Sequence, residues 1–214
     1  MHERMRLVGL LLLAAAAACN SGSPAGPDGA VPIYGACDVE PTYVSDVNLN
    51  RWPSFPLSYF FDAASFPPEF LADYRSAISY GIRRWDEATT NALGAVVETD
   101  DREAADFVIL YLELPVAAAA RVIHATGTPF LAGGEIQFNS VGMREGEELV
   151  RAGTISQETF HRGISSIAAH EMGHLLGIIG HPSRPDALMG PAFHDAPTIV
   201  DVNTLIRAYC HDKS

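Results

Sequence analysis

The residues with the clearest capacity for chemistry are His170, Glu171, His174 and His181, in the stretch HEMGHLLGIIGH (170–181). Two histidines four apart share one face of a helix, with Cβ atoms about 5–6 Å apart, so both imidazoles can reach one metal ion. Neutral imidazole is a natural ligand for Zn²⁺, and a catalytic zinc keeps one position open for water. Glu171 follows the first histidine and flanks the metal without being needed as a ligand. A carboxylate there can take a proton from the zinc-bound water and later deliver it to a leaving amine. Gly177 ends the helical pattern, because glycine turns left-handed without penalty. The chain can then swing back and offer His181 as a third ligand.

These side chains need a helix beneath them, and ISSIAAHEMGHLL (164–176) supplies apolar residues at helical intervals. Upstream, residues 68–90 place Phe70, Tyr74, Ala77, Ile78, Ile82 and Trp85 three and four apart, which predicts an amphipathic helix packed on a core. The runs 51–61, 94–99, 105–114, 121–126 and 133–139 read as strands. The run 105–114 is continuously apolar, as expected of a strand covered on both faces. A last helix is expected near 198–210.

With His170, Glu171, His174, Gly177 and His181 followed by ALMGP (187–191), the chain resembles the metzincin metalloproteases, and within them the matrixins, or matrix metalloproteinases. The resemblance runs from Arg51 through most of the remaining chain. It implies an α+β fold: a twisted, five-stranded, mostly parallel sheet with three helices, the zinc site on the second long helix. It implies one catalytic Zn²⁺ on His170, His174 and His181, with Glu171 as general base. Met189 would form a methionine turn beneath the ligands. Pro191 and Phe193 would wall the pocket for the side chain after the scissile bond, with His194 at its border. Substrate would lie extended along an edge strand, here expected at 133–139.

The chain departs from the family pattern at the third histidine. Gly180 stands where the family has its ligand, and His181 comes one residue late. The step from His181 to Met189 matches the family, so the extra residue lies between Gly177 and His181. A bulge is expected there, with Gly180 taking backbone angles barred to other residues. Asp186 and His194 are rival ligands without matching spacing. Matrixins also hold a second, structural zinc. Here His124 remains, but Gln137 stands at another ligand position and 115–120 offers no His or Asp, so that metal is expected to be absent. Glu135 and Asn139 are candidate Ca²⁺ ligands, though nothing in the spacing demands calcium.

Residues 1–18 carry Arg4 and Arg6, then an apolar run ending in small residues before Cys19, as in an export signal too short to span a membrane. Ala17 and Ala18 before Cys19 suggest a lipoprotein signal with Cys19 acylated; ordinary secretion is the alternative. Residues 19–36, rich in Ser, Gly and Pro, read as a flexible tether. Residues 37–214 are long enough to bury their own core as one domain. With 26 acidic against 14 basic residues, the net charge of −12 argues against nucleic acid and against direct docking on anionic lipid. If Cys19 carries lipid, Cys37 and Cys210 are left to form a disulfide. That bridge would close a loop of about 170 residues, which stabilises by up to about 5 kcal/mol in the chain-entropy model. The matrixin resemblance suggests another role for Cys37, as a latency cysteine on the metal, but GACDVEP lacks that family's flanking residues.

The expectation is an exported zinc endopeptidase, monomeric, acting on protein or peptide substrates and held to a bacterial membrane by its lipid alone. A catalytically inactive zinc- and peptide-binding module on the same scaffold is the alternative. Glu171 separates the two, since binding alone has no use for a general base.

Overall fold

The computed structural model describes residues 37–90 and 92–210. Residues 1–18 and 19–36, expected to be an export signal and a tether, lie outside the described residues, Cys19 included. The elements run β1 (Asn48–Leu49), β2 (Ser58–Phe61), α1 (Leu71–Ala88), β3 (Val97–Glu98), β4 (Phe107–Leu112), β5 (Ala118–His124), β6 (Leu131–Asn139), α2 (Ser140–Arg151), α3 (Gln157–Leu175), β7 (Ile178–Ile179) and α4 (Ile199–Tyr209). The chain is α+β. Five strands form one sheet in the order β3-β2-β4-β6-β5, parallel except for the antiparallel β5.

Period-two patterning puts Tyr59, Phe61, Phe107, Ile109, Ile136 and Phe138 on one face of this sheet, all buried. Against that face lie the apolar stripes of α1 and α3, including Ile78, Ile82, Trp85, Ala168, Met172 and Leu175. The two helices touch closely at Gly81, where a Cβ would overlap the carbonyl oxygen of Ser165 and lie 2.8 Å from the Cβ of Ala168. Ser156 caps α3 by accepting from the backbone N–H of Thr159, so the helix starts seven residues before Ile164, where the sequence pattern placed it.

Among the described residues there are four α-helices where three were expected. The additional one is α2, whose Asn139 cap accepts from the N–H of Val141 and whose inner face buries Met143 and Glu147. Glu147 is only 1 % exposed. Its carboxylate accepts from the hydroxyls of Tyr74 (2.7 Å) and Tyr111 (3.0 Å), tying α2 to α1 and β4. That polar anchor stands where an apolar residue would have announced a helix.

The expected edge strand is also corrected. β6, which contains 133–139, pairs with β4 on one side and β5 on the other, so it lies inside the sheet. The sheet's edge strands are β3 and β5. Among the described residues, no helix is long and apolar enough to cross a membrane.

Candidate metal centre and cleft

His170 and His174 project from the last turns of α3, and His181 returns to them from beyond β7. The Nε2 atom of His181 lies 3.0 Å from that of His170 and 3.2 Å from that of His174. The Nδ1 atom of His170 donates to the carbonyl of Leu188 (2.9 Å), and that of His174 to the carbonyl of Ile178 (2.7 Å). A carbonyl can only accept, so each of these rings carries its proton on Nδ1 and turns a lone pair inward. With His181 in the tautomer that leaves Nε2 unprotonated, three lone pairs converge on one point, as around a cation. Tetrahedral zinc with bonds of about 2.0–2.1 Å would hold its nitrogens about 3.3–3.4 Å apart, so the set fits such an ion. Among the described residues these three are the group able to hold a metal.

Burial favours the neutral ligand form. It lowers the pKa of His170, and it pushes that of His174 down to about 4 with help from the neighbouring His170 and His181 rings. Glu171 points off the same helix and is 7 % exposed. Burial raises its pKa to about 7, opposed by a backbone hydrogen bond with Ala120 of β5.

Between α3 and His181, where a bulge was expected, the chain forms a short strand. β7 pairs antiparallel with β1, Asn48 opposite Ile179 and Leu49 opposite Ile178. Gly177 and Gly180 flank it at φ 112° and 118°, where L side chains are strained. A Cβ on Gly177 would also overlap the carbonyl oxygen of Asn50.

Met189 is fully buried, and its thioether packs against Gly173 inside the HEMGH segment. The turn that carries it is fixed by Asp201, itself fully buried. One carboxylate oxygen accepts from the Leu188 N–H (2.8 Å) and from the Thr198 N–H and hydroxyl. The other accepts from the Met189 N–H (3.2 Å) and the Tyr43 hydroxyl (2.8 Å). Leu188 thus has its N–H held by Asp201 while its carbonyl orients His170. Sequence reading missed Asp201; its only local signature is the capping box with Thr198.

A cavity of about 300 Å³ opens beside His170 and Glu171. Pro191, Phe193 and His194 line it. Ala117, Ala118, Ser166, Ile167, Leu188 and Ala192 complete it and were not foreseen. His194 is not at the histidine cluster: its Nε2 donates to the carbonyl of Pro185 (2.7 Å). Asp186 is taken by Arg184 at 2.7 and 2.9 Å. Among the calcium candidates, Asn139 caps α2, and Glu135 accepts from Gln137 (2.6 Å). His124 is exposed on β5. Cys37 and Cys210 are joined in a disulfide with Cα atoms 5.3 Å apart, so Cys37 is bonded to α4's end rather than to the histidines.

In comparisons with known proteins, no family model matches the chain and no curated relative matches it.

Proposed function

We propose that the chain is an exported zinc endopeptidase of metzincin type, with a domain like the matrixin catalytic domain. The observation that carries this reading is the convergence of three imidazole Nε2 atoms beside a buried carboxylate and a largely apolar cavity. Zinc held by His170, His174 and His181 would supply a Lewis acid for the scissile carbonyl and acidify water.

The other roles fall to the protein. Glu171 accepts the proton of the attacking water and hands it to the leaving nitrogen; a proton affinity near neutrality suits that shuttle. The peptide pairs its main chain with the free edge of β5, which replaces 133–139 in this role. The side chain after the scissile bond enters the cavity between Ala118, Ile167, Pro191 and Phe193. Apolar walls discriminate by about 1–3 kcal/mol per methylene, so the sequence preference is loose. Substrates are proteins or peptides, and the enzyme acts as a monomer, lipid-anchored at Cys19 on the outer side of a bacterial membrane.

The test combines metal analysis with digestion of a peptide library by the parent and by Glu171→Ala. Both should carry a single equivalent of zinc, and only the parent should cleave. Cleavage by pure Glu171→Ala would overturn the mechanism. Zinc binding without cleavage by the parent would make the chain a binding module instead.

A further inference from the structure

Two of the three histidines depend on β7. Ile178 accepts from Nδ1 of His174, and His181 follows the strand by two residues. β7 has a single strand partner, β1, and β1 belongs to a strap formed by residues 37–50. This strap runs along α4 before it reaches the metal centre. Cys37 is bonded to Cys210, Asn203 donates to the carbonyl of Pro41 (3.2 Å), and the Tyr43 N–H donates to Thr204 (3.1 Å). Arg184 donates to the carbonyl of Thr42 (3.3 Å). After a turn at Tyr43–Asp46, Val47 comes to lie beside Gly180, Asn48 and Leu49 pair with β7, and the Asn50 N–H donates to Gly177 (2.9 Å).

From this we infer that the Cys37–Cys210 disulfide is a positioning element of the metal centre, and that its closure raises the affinity for the metal. The inference rests on the metal reading of the three histidines. With both sulfurs reduced, the strap is free at its outer end and held by its hydrogen bonds and by the packing of Tyr43, Val47 and Leu49 on the core. β1 then frays more readily from β7, and the carbonyl of Ile178 and the ring of His181 lose their fixed places. Outer-shell supports of this kind are worth about 10–100-fold in metal affinity. Closure is a thiol–disulfide exchange. The two thiols lose two protons and two electrons to a disulfide oxidant, the Cys37–Cys210 bond forms, the oxidant's S–S bond breaks, and it leaves as two thiols. The chain thus acquires a tight site after it meets an oxidising compartment.

The experiment compares the full chain with its Cys37→Ser/Cys210→Ser double variant. Zinc affinity is read by competition with a chromophoric chelator, and hydrogen exchange is followed at residues 178–181 and along α1 and α3. The expected result is zinc binding at least about tenfold weaker, with faster exchange at 178–181 and unchanged protection in the two helices. Equal affinity in parent and double variant overturns the inference. If the parent itself binds no zinc, it is the metal reading that fails. Should the double variant not fold, the folded parent is measured after its Cys37–Cys210 disulfide is reduced and both thiols are alkylated. It should show the same two changes, and unchanged zinc affinity there also overturns the inference.

Discussion

The sulfur of Met189 rests directly on the backbone of Gly173, between the two histidines of α3. A Cβ at position 173 would overlap that sulfur and come within 2.7 Å of the Trp85 ring. Trp85 cannot yield easily, because its indole N–H donates to the carbonyl of Ala169 (2.7 Å). Gly173→Ala should therefore cost about 1–3 kcal/mol, the usual penalty for overpacking a core, and it should weaken metal binding. Denaturant unfolding and a zinc titration check this. A variant as stable as the parent would mean that the turn carrying Met189 is free to move.

Asp201 is a second point of fragility. Replacement by Ala leaves the N–H groups of Leu188 and Met189 and the Tyr43 hydroxyl without their acceptor, all in buried positions. An orphaned buried donor costs about 1–3 kcal/mol, so the variant should lose several kcal/mol in urea unfolding. Zinc affinity should fall with it, because Leu188 also orients His170.

Substitution should separate the third ligand from its rivals. His181→Ala should bind zinc far more weakly and lose activity. His194→Ala and Asp186→Ala should keep the metal, since those side chains are engaged by Pro185 and Arg184. Zinc bound as tightly by His181→Ala as by the parent would reopen the ligand set.

Much of this centre could be read from the sequence. The two histidines and Glu171 depend only on helical spacing, and the last helix and the buried stripe of α1 follow from periodicity. The cysteine pair follows from counting. What could not be read depends on neighbours. Asp201 looks like a local cap until Tyr43 and the methionine turn arrive from distant sequence. α2 hides behind Gly142, Gly146 and a run of charges, because its inward contact is the polar Glu147. A strand of two residues such as β7 has no periodicity, and its existence depends on β1, about 130 residues earlier, through the pairing of Asn48 with Ile179 and Leu49 with Ile178. The apolar content of 133–139 marks a strand but does not tell an interior strand from an edge.

The metal-free domain should show two opposing pH dependences. Glu171 has its pKa raised from 4.5 to about 7, so its contribution to stability is full below 4.5 and is lost as pH rises through 7. His174 has its pKa lowered from 6.5 to about 4, and that of His170 is lowered too. Their contribution is full above 6.5 and is lost as pH falls, through 4 for His174. Glu171→Gln removes only the first dependence. In urea unfolding of metal-free protein, that variant should gain stability relative to the parent as pH rises from 4.5 to 7. A difference that does not change with pH would place the buried charge elsewhere.

The strap gives the molecule an order of assembly. Its residues leave the ribosome, and cross any membrane, ahead of the rest of the domain, yet α4, along which they lie, comes last. Until Thr198–Cys210 has emerged, Tyr43 has no Asp201, Cys37 has no partner, and β1 has no anchored frame from which to hold β7. A nascent or truncated chain can contain every histidine of the centre and still lack the means to set them in place. Formation of the three-histidine cluster is thereby tied to the arrival of α4, the last element of the described domain.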